Sequence, residues 1–289
     1  MEELVQQIAN GLVLGSTYAL LAFAVALIFG VMYVPNFALG SLYMLAAYVS
    51  FYTMDWGVHY LFTIILGIVI MAVLAIIMEL LVFRPLATGP HASGFIGALG
   101  LFVILENAAF VGVGPEYRAI RSPYVDMALE IGTIKLTVQL LLVFLAGTGL
   151  AIGAYFWLLK TKMGKQIRAV SQNKEAATLI GIDINWVNFT AFAASGLLAA
   201  AAGGLVGPLA LANPAMGMMP ITKAFVVVVL GGMGSIPGAI MGGFILGLVE
   251  SLGAGYISSA YKDCFAFGVL VLVLMIKPTG LFGTTELRE

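Results

Sequence analysis

Charge is what this sequence has least of. Only 9% of its 289 residues are Asp, Glu, Lys or Arg, against roughly 25% in an ordinary soluble domain. With 62% hydrophobic residues, no soluble fold could hide the apolar surface, so the chain is an integral membrane protein. The single cysteine, Cys264, excludes an internal disulfide and any cysteine-based metal site. The two histidines, His59 and His91, stand far apart in sequence, which argues against zinc and leaves both as interfacial loop residues. No metal site and no cofactor is expected. A Gly-x4-Gly-Lys-Ser/Thr phosphate loop, His-Glu-x-x-His and Gly-x-Ser-x-Gly are all missing, so the chain is not expected to be an enzyme or to hydrolyse ATP itself. The net charge of -1, with no basic stripe interleaved with aromatics, gives no reason to expect nucleic acid as a partner. No Lys or Arg precedes Arg84, whereas a cleaved signal needs a positive start, so insertion into lipid is expected through the chain's own spans.

Long apolar runs are what the sequence has instead, and a spanning helix needs about 20 such residues. The expected fold is an all-α polytopic membrane protein with about 8 transmembrane helices, the whole of residues 1–289 forming one transmembrane domain. Between Leu4 and Met54 there is no charge, enough for two spans at about Asn10–Met32 and Phe37–Met54. Pro35 marks their joint, because it removes a backbone donor and pushes Val34 out of helical geometry. Further spans are expected at His59–Phe83, Ser93–Val113, Ile134–Leu158, Trp186–Val206 and Tyr261–Ile276, with a polar loop from Gly114 to Gly132. Between the last two lies a broken or re-entrant element: a short apolar piece Ala224–Leu230, a glycine-rich break Gly231–Gly238, and Ala239–Leu252. Pro35 followed by Gly40, and Pro237 followed by Gly242, suggest two weakly related halves, each with a broken helix.

One polar stretch separates the two large apolar blocks. Lys160–Asp183 carries Lys160, Lys162, Lys165, Arg168 and Lys174, five of the 13 basic residues, and so is placed in the cytoplasm. Counting spans puts Arg84, Lys277 and Arg288 on the same side and the acidic amino terminus outside. Glu79, Glu106 and Glu250 fall within spans, with Lys223 near a segment start. Glu79 reads as an anchor beside Arg84. Glu106 and Glu250 read equally as lining a polar path or as hydrogen-bonded ties between helices.

Several segments, in order, resemble the permease subunits of branched-chain amino acid ATP-binding cassette importers, closest to the shorter high-affinity leucine/isoleucine/valine type. They are Gly11-Leu12-x-x-Gly15-Ser16-x-Tyr18-Ala19-Leu20, Ile28-Phe29-Gly30-Val31, Asn36-Phe37-Ala38-x-Gly40 and Tyr43-Met44-x-x-Ala47-Tyr48. Further along come Gly164-x3-Arg168-Ala169-Val170, Asn173-x-x-Ala176-Ala177-x-Leu179-x-Gly181-Ile182, Lys223 through Ala239, and Lys277-Pro278-x-Gly280-Leu281-Phe282-Gly283. Where the family commonly has His and an acidic residue, this chain has Leu39 and Ser41, which leaves relatives that carry urea or short amides in view.

The resemblance implies a heteromeric importer of the bacterial inner membrane. Its parts would be a second homologous permease, two ATPase subunits and a periplasmic substrate-binding protein. It makes Lys160–Asp183 a coupling loop, with Arg168, Asn173, Ala176, Ala177 and Gly181 engaging the ATPase and Ser171–Ile180 a short helix presenting Leu179 and Ile180. Asn36, Ser41, Gly232, Gly234 and Ser235, beside the two breaks, are the candidates for lining the substrate path. The competing reading is a stand-alone carrier or facilitator for a small polar, urea- or amide-like solute. The scarcity of mid-span acids speaks against a proton-driven version.

Overall fold

The computed structural model of the protein describes residues 2–87, 89–131 and 134–283; Arg288 lies outside them, as does the side chain of His91. Eight of its helical segments are apolar and long enough to span a bilayer. The chain opens with α1 (Glu2–Met32), α2 (Ala38–Asp55) and α3 (Tyr60–Met78), which runs on through a π turn at Glu79–Phe83 into α4 (Arg84–Leu86). Then come α5 (His91–Val113), a hairpin of β1 (Ala128–Ile131) and β2 (Ile134–Thr137), α6 (Val138–Lys160), α7 (Lys162–Gln172) and α8 (Lys174–Leu179). The chain closes with α9 (Ile184–Val206), α10 (Met218–Gly231), α11 (Ile236–Tyr256) and α12 (Lys262–Ile276).

The helical membrane fold is the one expected, and four local elements depart from expectation. α2, expected as a span over Phe37–Met54, is not among the eight segments long and apolar enough to cross. β1 and β2 form a short antiparallel hairpin, with Ala128 opposite Thr137, where the fifth span was expected to begin. Thr137 ends the hairpin and accepts from the Leu140 N–H at 3.4 Å, so α6 starts only at Val138. The single helix expected over Ser171–Ile180 is two, because Asn173 leaves the helix and its side chain caps α8 through the Ala176 N–H at 2.9 Å. The apolar piece before the glycine break is longer than Ala224–Leu230: α10 starts at Met218, and with the 3-10 turn Pro214–Gly217 it is long enough to span. Lys223, taken as a boundary, lies inside it.

α1 is the centre of the bundle and packs most extensively on α11. Small residues permit that approach. A Cβ on Gly247 would meet the Gly15 backbone nitrogen at 2.3 Å, and one on Gly11 would meet Leu248 Cα at 2.9 Å. Leu20–Ile28 of α1 is buried throughout.

The break between α1 and α2 is set by more than Pro35, since Tyr33 itself takes a positive φ of 56°. Its hydroxyl donates to the Ser171 carbonyl at 2.8 Å, which fixes the end of α1 beside α7. The other break is a tight turn. Gly232 and Gly234 have φ of 103° and 89°, and the Ser235 side chain caps α11 through the Gly238 N–H at 3.2 Å.

The tail returns to this turn. The Leu281 and Phe282 N–H groups donate to the Leu230 and Gly231 carbonyls at 2.9 and 3.0 Å, capping the end of α10. Thus Tyr33, α7, the turn after α10 and the tail share one end with Lys160, Lys162, Lys165, Arg168, Lys174 and Lys277. The positive-inside rule would put that end, the inner one, in the cytoplasm. α1 ends there and begins at the opposite, outer end.

The opposite end is tied by a polar knot. Gln139 Nε2 donates to Tyr60 Oη at 2.7 Å and to the Leu205 carbonyl at 2.8 Å, and Ser122 Oγ donates to Gln139 Oε1 at 3.1 Å. Arg118 and Ala212 exchange backbone hydrogen bonds of 2.8 Å, clamping the outer loop onto the segment before α10.

Candidate functional site

A membrane interior tolerates charge only where it is neutralised or meets water, and the spans hold three arrangements of it. Glu79, wholly buried, accepts two hydrogen bonds from Arg84, at 3.1 and 3.0 Å, across the π turn that ends α3. This is the anchor expected from sequence. The second is a cluster joining four helices. Lys223 of α10 lies 2.9 Å from Glu250 of α11 and 2.9 Å from Asp263 of α12. The Tyr18 hydroxyl of α1 donates to Glu250 at 2.8 Å, and Lys262 stands 3.6 Å from the same carboxylate. Both oxygens of Glu250 therefore have partners, and the tie between helices is the alternative that the geometry supports for this residue. The third is Glu106 of α5, half-buried, which has no hydrogen bond or ion pair among the described residues. Asn107 beside it donates to the Val103 carbonyl at 2.8 Å.

The residues expected along the path do not converge. Gly234 and Ser235 line a cavity of about 870 Å³ at the inner end, together with Gly30, Leu159, Arg168 and Ser171. Gly232 does not line it. A Cβ there would strike the Gly283 nitrogen at 2.6 Å, so this glycine makes room for the returning tail. Asn36 is buried at the start of α2, where its Oδ1 accepts from the Ala38 N–H at 3.0 Å. Its amide nitrogen is buried without a partner among the described residues. Ser41, also buried, donates to the Phe102 carbonyl at 3.3 Å and ties α2 to α5. The aromatic stack of Phe37 on Phe225, 5.3 Å between centroids, joins the start of α2 to the middle of α10. Nothing in the sequence pairs these two rings.

The Lys160–Asp183 segment divides by face. Thr161 caps α7 by accepting from the Gly164 N–H at 3.1 Å, and a Cβ on Gly164 would strike the Leu158 carbonyl, so α7 folds tightly back under α6. Arg168 reaches back to the Leu159 carbonyl at 3.2 Å. Ala177 is 2% exposed and belongs to the main core, which fixes α8 to the bundle. Asn173 and Ala176 face outward, and Gly181 takes a φ of 85° with open space around it. Leu179 and Ile180 protrude at 88% and 75% exposure on the most basic end of the molecule. Two large apolar side chains that exposed, outside the lipid-spanning helices, mark a contact surface.

Comparison with known proteins agrees with this architecture. The chain is 31% identical to the high-affinity branched-chain amino acid transport system permease protein BraD of Pseudomonas aeruginosa, over 98% of this chain and 97% of that one. It is 33% identical to the corresponding permease LivH of Escherichia coli, over 98% and 97%. It is 29% identical to the probable branched-chain amino acid transport permease LivH of Methanocaldococcus jannaschii, over 95% and 91%. The structure of PsaBC from Streptococcus pneumoniae in complex with Fab superposes with a TM-score of 0.50 at 14% identity, covering 93% of this chain and 91% of that one, a likeness of fold alone. Residues 7–274 match the family described as the permease component of the branched-chain amino acid transport system, and the chain belongs to that family.

Proposed function

We propose that this chain is the membrane-spanning subunit of an ATP-driven importer that moves leucine, isoleucine, valine or related amino acids across the inner membrane. One observation carries the mechanistic part: Leu179 and Ile180 stand bare on a short helix that Ala177 clamps to the core. That helix lies at the basic end, next to the cavity bounded by Gly234, Ser235 and Arg168. An ATPase subunit gripping Leu179 and Ile180 would push α8, and through Asn173 and α7 the push reaches Arg168 and Ser171 on the cavity wall. The chain supplies the lever and the wall. ATP hydrolysis comes from two partner ATPases, delivery from a periplasmic binding protein, and the other half of the path from a second homologous permease.

Within this reading, Gly234 and Ser235 form the inner mouth. Asn36 contributes its unpaired amide at the junction of α1 and α2. Ser41 and Gly232 act by holding α5 and the tail in place. The test is reconstitution in liposomes. The chain with its second permease, ATPases and binding protein should take up labelled leucine only when ATP is enclosed on the ATPase side. Equal uptake of leucine, urea or a short amide by this chain alone would replace the importer with a stand-alone facilitator.

A further inference from the structure

We propose that Glu106 is the recognition group for the ammonium of the transported amino acid, at an outward-facing site on α5. This rests on the importer reading and names a binding residue within it. The first observation is a cavity of about 410 Å³ at the outer end of the bundle, lined by Glu106, Asn107, Phe110, Tyr117, Asn213 and their neighbours. That is within the roughly 300–1,000 Å³ of small-molecule sites. Glu106 is the one charged residue among those lining it, so the cavity selects for a positive group.

The second observation is position. Glu106 lies seven residues before Val113, the end of α5, which at about 1.5 Å per residue puts it about 10 Å below the outer end of the helix. A carboxylate at that depth toward lipid is costly and needs either a counter-ion or water. Within this chain the two fully buried carboxylates of the spans have their counter-ions, Arg84 for Glu79 and Lys223 for Glu250. Glu106 has none among the described residues, although Arg118 is close in sequence: that guanidinium goes instead to Glu116 at 3.7 Å, the Val113 carbonyl at 3.2 Å and the Phe51 ring.

The third observation is the neighbour one turn on. Phe110 follows Glu106 at i+4, on the same face, and is 51% exposed. A carboxylate with an apolar ring beside it matches an ammonium with an aliphatic side chain. Asn107, on the same edge, and Tyr117, across the cavity, offer polar atoms to the remainder of a zwitterion.

The test uses the assembled importer with Cys264, which is exposed, replaced by Ser. At subsaturating leucine, Glu106→Gln should lower uptake about tenfold or more, with Glu106→Asp recovering part of the loss. Ala215→Cys, which lines the same cavity and leaves Glu106 in place, should react with a membrane-impermeant thiol reagent from outside. That reaction should be slowed by leucine or 3-methylbutylamine, which carry the ammonium, and not by 4-methylpentanoate, which lacks it. Three results overturn the proposal: wild-type uptake in Glu106→Gln, equal protection by the amine and the acid, or loss of the second permease from the purified Glu106→Gln complex, which would make Glu106 an assembly residue. If the unaltered importer takes up no branched-chain amino acid, the functional reading fails first and this ligand with it.

Discussion

Glu250 and Glu106 are the same residue on two spanning helices, and the fold treats them in opposite ways. Glu250 is sealed at the junction of α1, α10, α11 and α12, with Lys223 at 2.9 Å, Tyr18 at 2.8 Å and Lys262 at 3.6 Å. Glu106 stands half-buried on an outer helix, with a cavity in front of it and no partner among the described residues. The first arrangement uses charge to fix how helices meet. The second leaves charge available. The same division recurs in aliphatic form on α8, where Ala177 is sealed in the core and Leu179 and Ile180 are bare. What a residue does in this chain follows from whether its chemical demand is met from within.

The largest expected effect comes from unsealing Glu250. Lys223→Met removes its closest cation, and loss of one member of a buried ion pair costs about 3–5 kcal/mol. The variant should melt well below the wild type in detergent. Lys223→Met combined with Glu250→Leu should recover much of that loss, since an apolar pair has no unpaired charge to hide. A Lys223→Met protein as stable as wild type would mean that Glu250 is not sealed by Lys223, and the contrast with Glu106 would lose its first half.

The next effect separates the two faces of α8. Ala177→Asp buries an uncompensated carboxylate and should cost about 2 kcal/mol or more. Leu179→Asp, on the bare face, should change stability by less than about 0.5 kcal/mol while abolishing ATP-driven uptake. Melting curves and uptake on the same two preparations decide it. The reverse pattern, a damaged fold from Leu179→Asp and a working importer from Ala177→Asp, would remove α8 as the lever.

Most of the spans and both breaks were legible because each depends on local properties: run length, Pro35, and the glycines of 231–238. The basic segment was legible for the same reason, as was the anchor of Glu79 on Arg84 five residues away. What stayed hidden depends on partners distant in sequence. Lys223 looked like a boundary because its counter-ions arrive from α11 and α12. Gly232 looked like a path residue because the tail it accommodates lies at Thr279–Gly283. Ala177 and Leu179 are both apolar residues of one short helix, and only the packing of α8 onto the core tells which is sealed. The β1–β2 hairpin was lost inside an apolar run, where a short strand and a helix start have the same composition. The division of α7 from α8 has a local signal, since Asn is a strong helix N-cap and Asn173 caps α8.

The smallest expected effect is the one that sharpens the comparison most. In the isolated chain, Glu106→Leu should leave thermal stability within about 0.5 kcal/mol of wild type, because no hydrogen bond or ion pair is broken and a side chain costly at that depth is replaced by an apolar one. Glu250→Leu alone, by the same measurement, should be worse, since it takes one of two carboxylates from buried Lys223 and the acceptor from the buried Tyr18 hydroxyl. The two substitutions are chemically identical, so any difference between them belongs to the surroundings. If Glu106→Leu instead costs about 2 kcal/mol or more, Glu106 has a structural partner and is a second Glu250. A neutral result in the isolated chain, joined to lost uptake in an importer that still holds its second permease, leaves Glu106 the role of a ligand-binding residue.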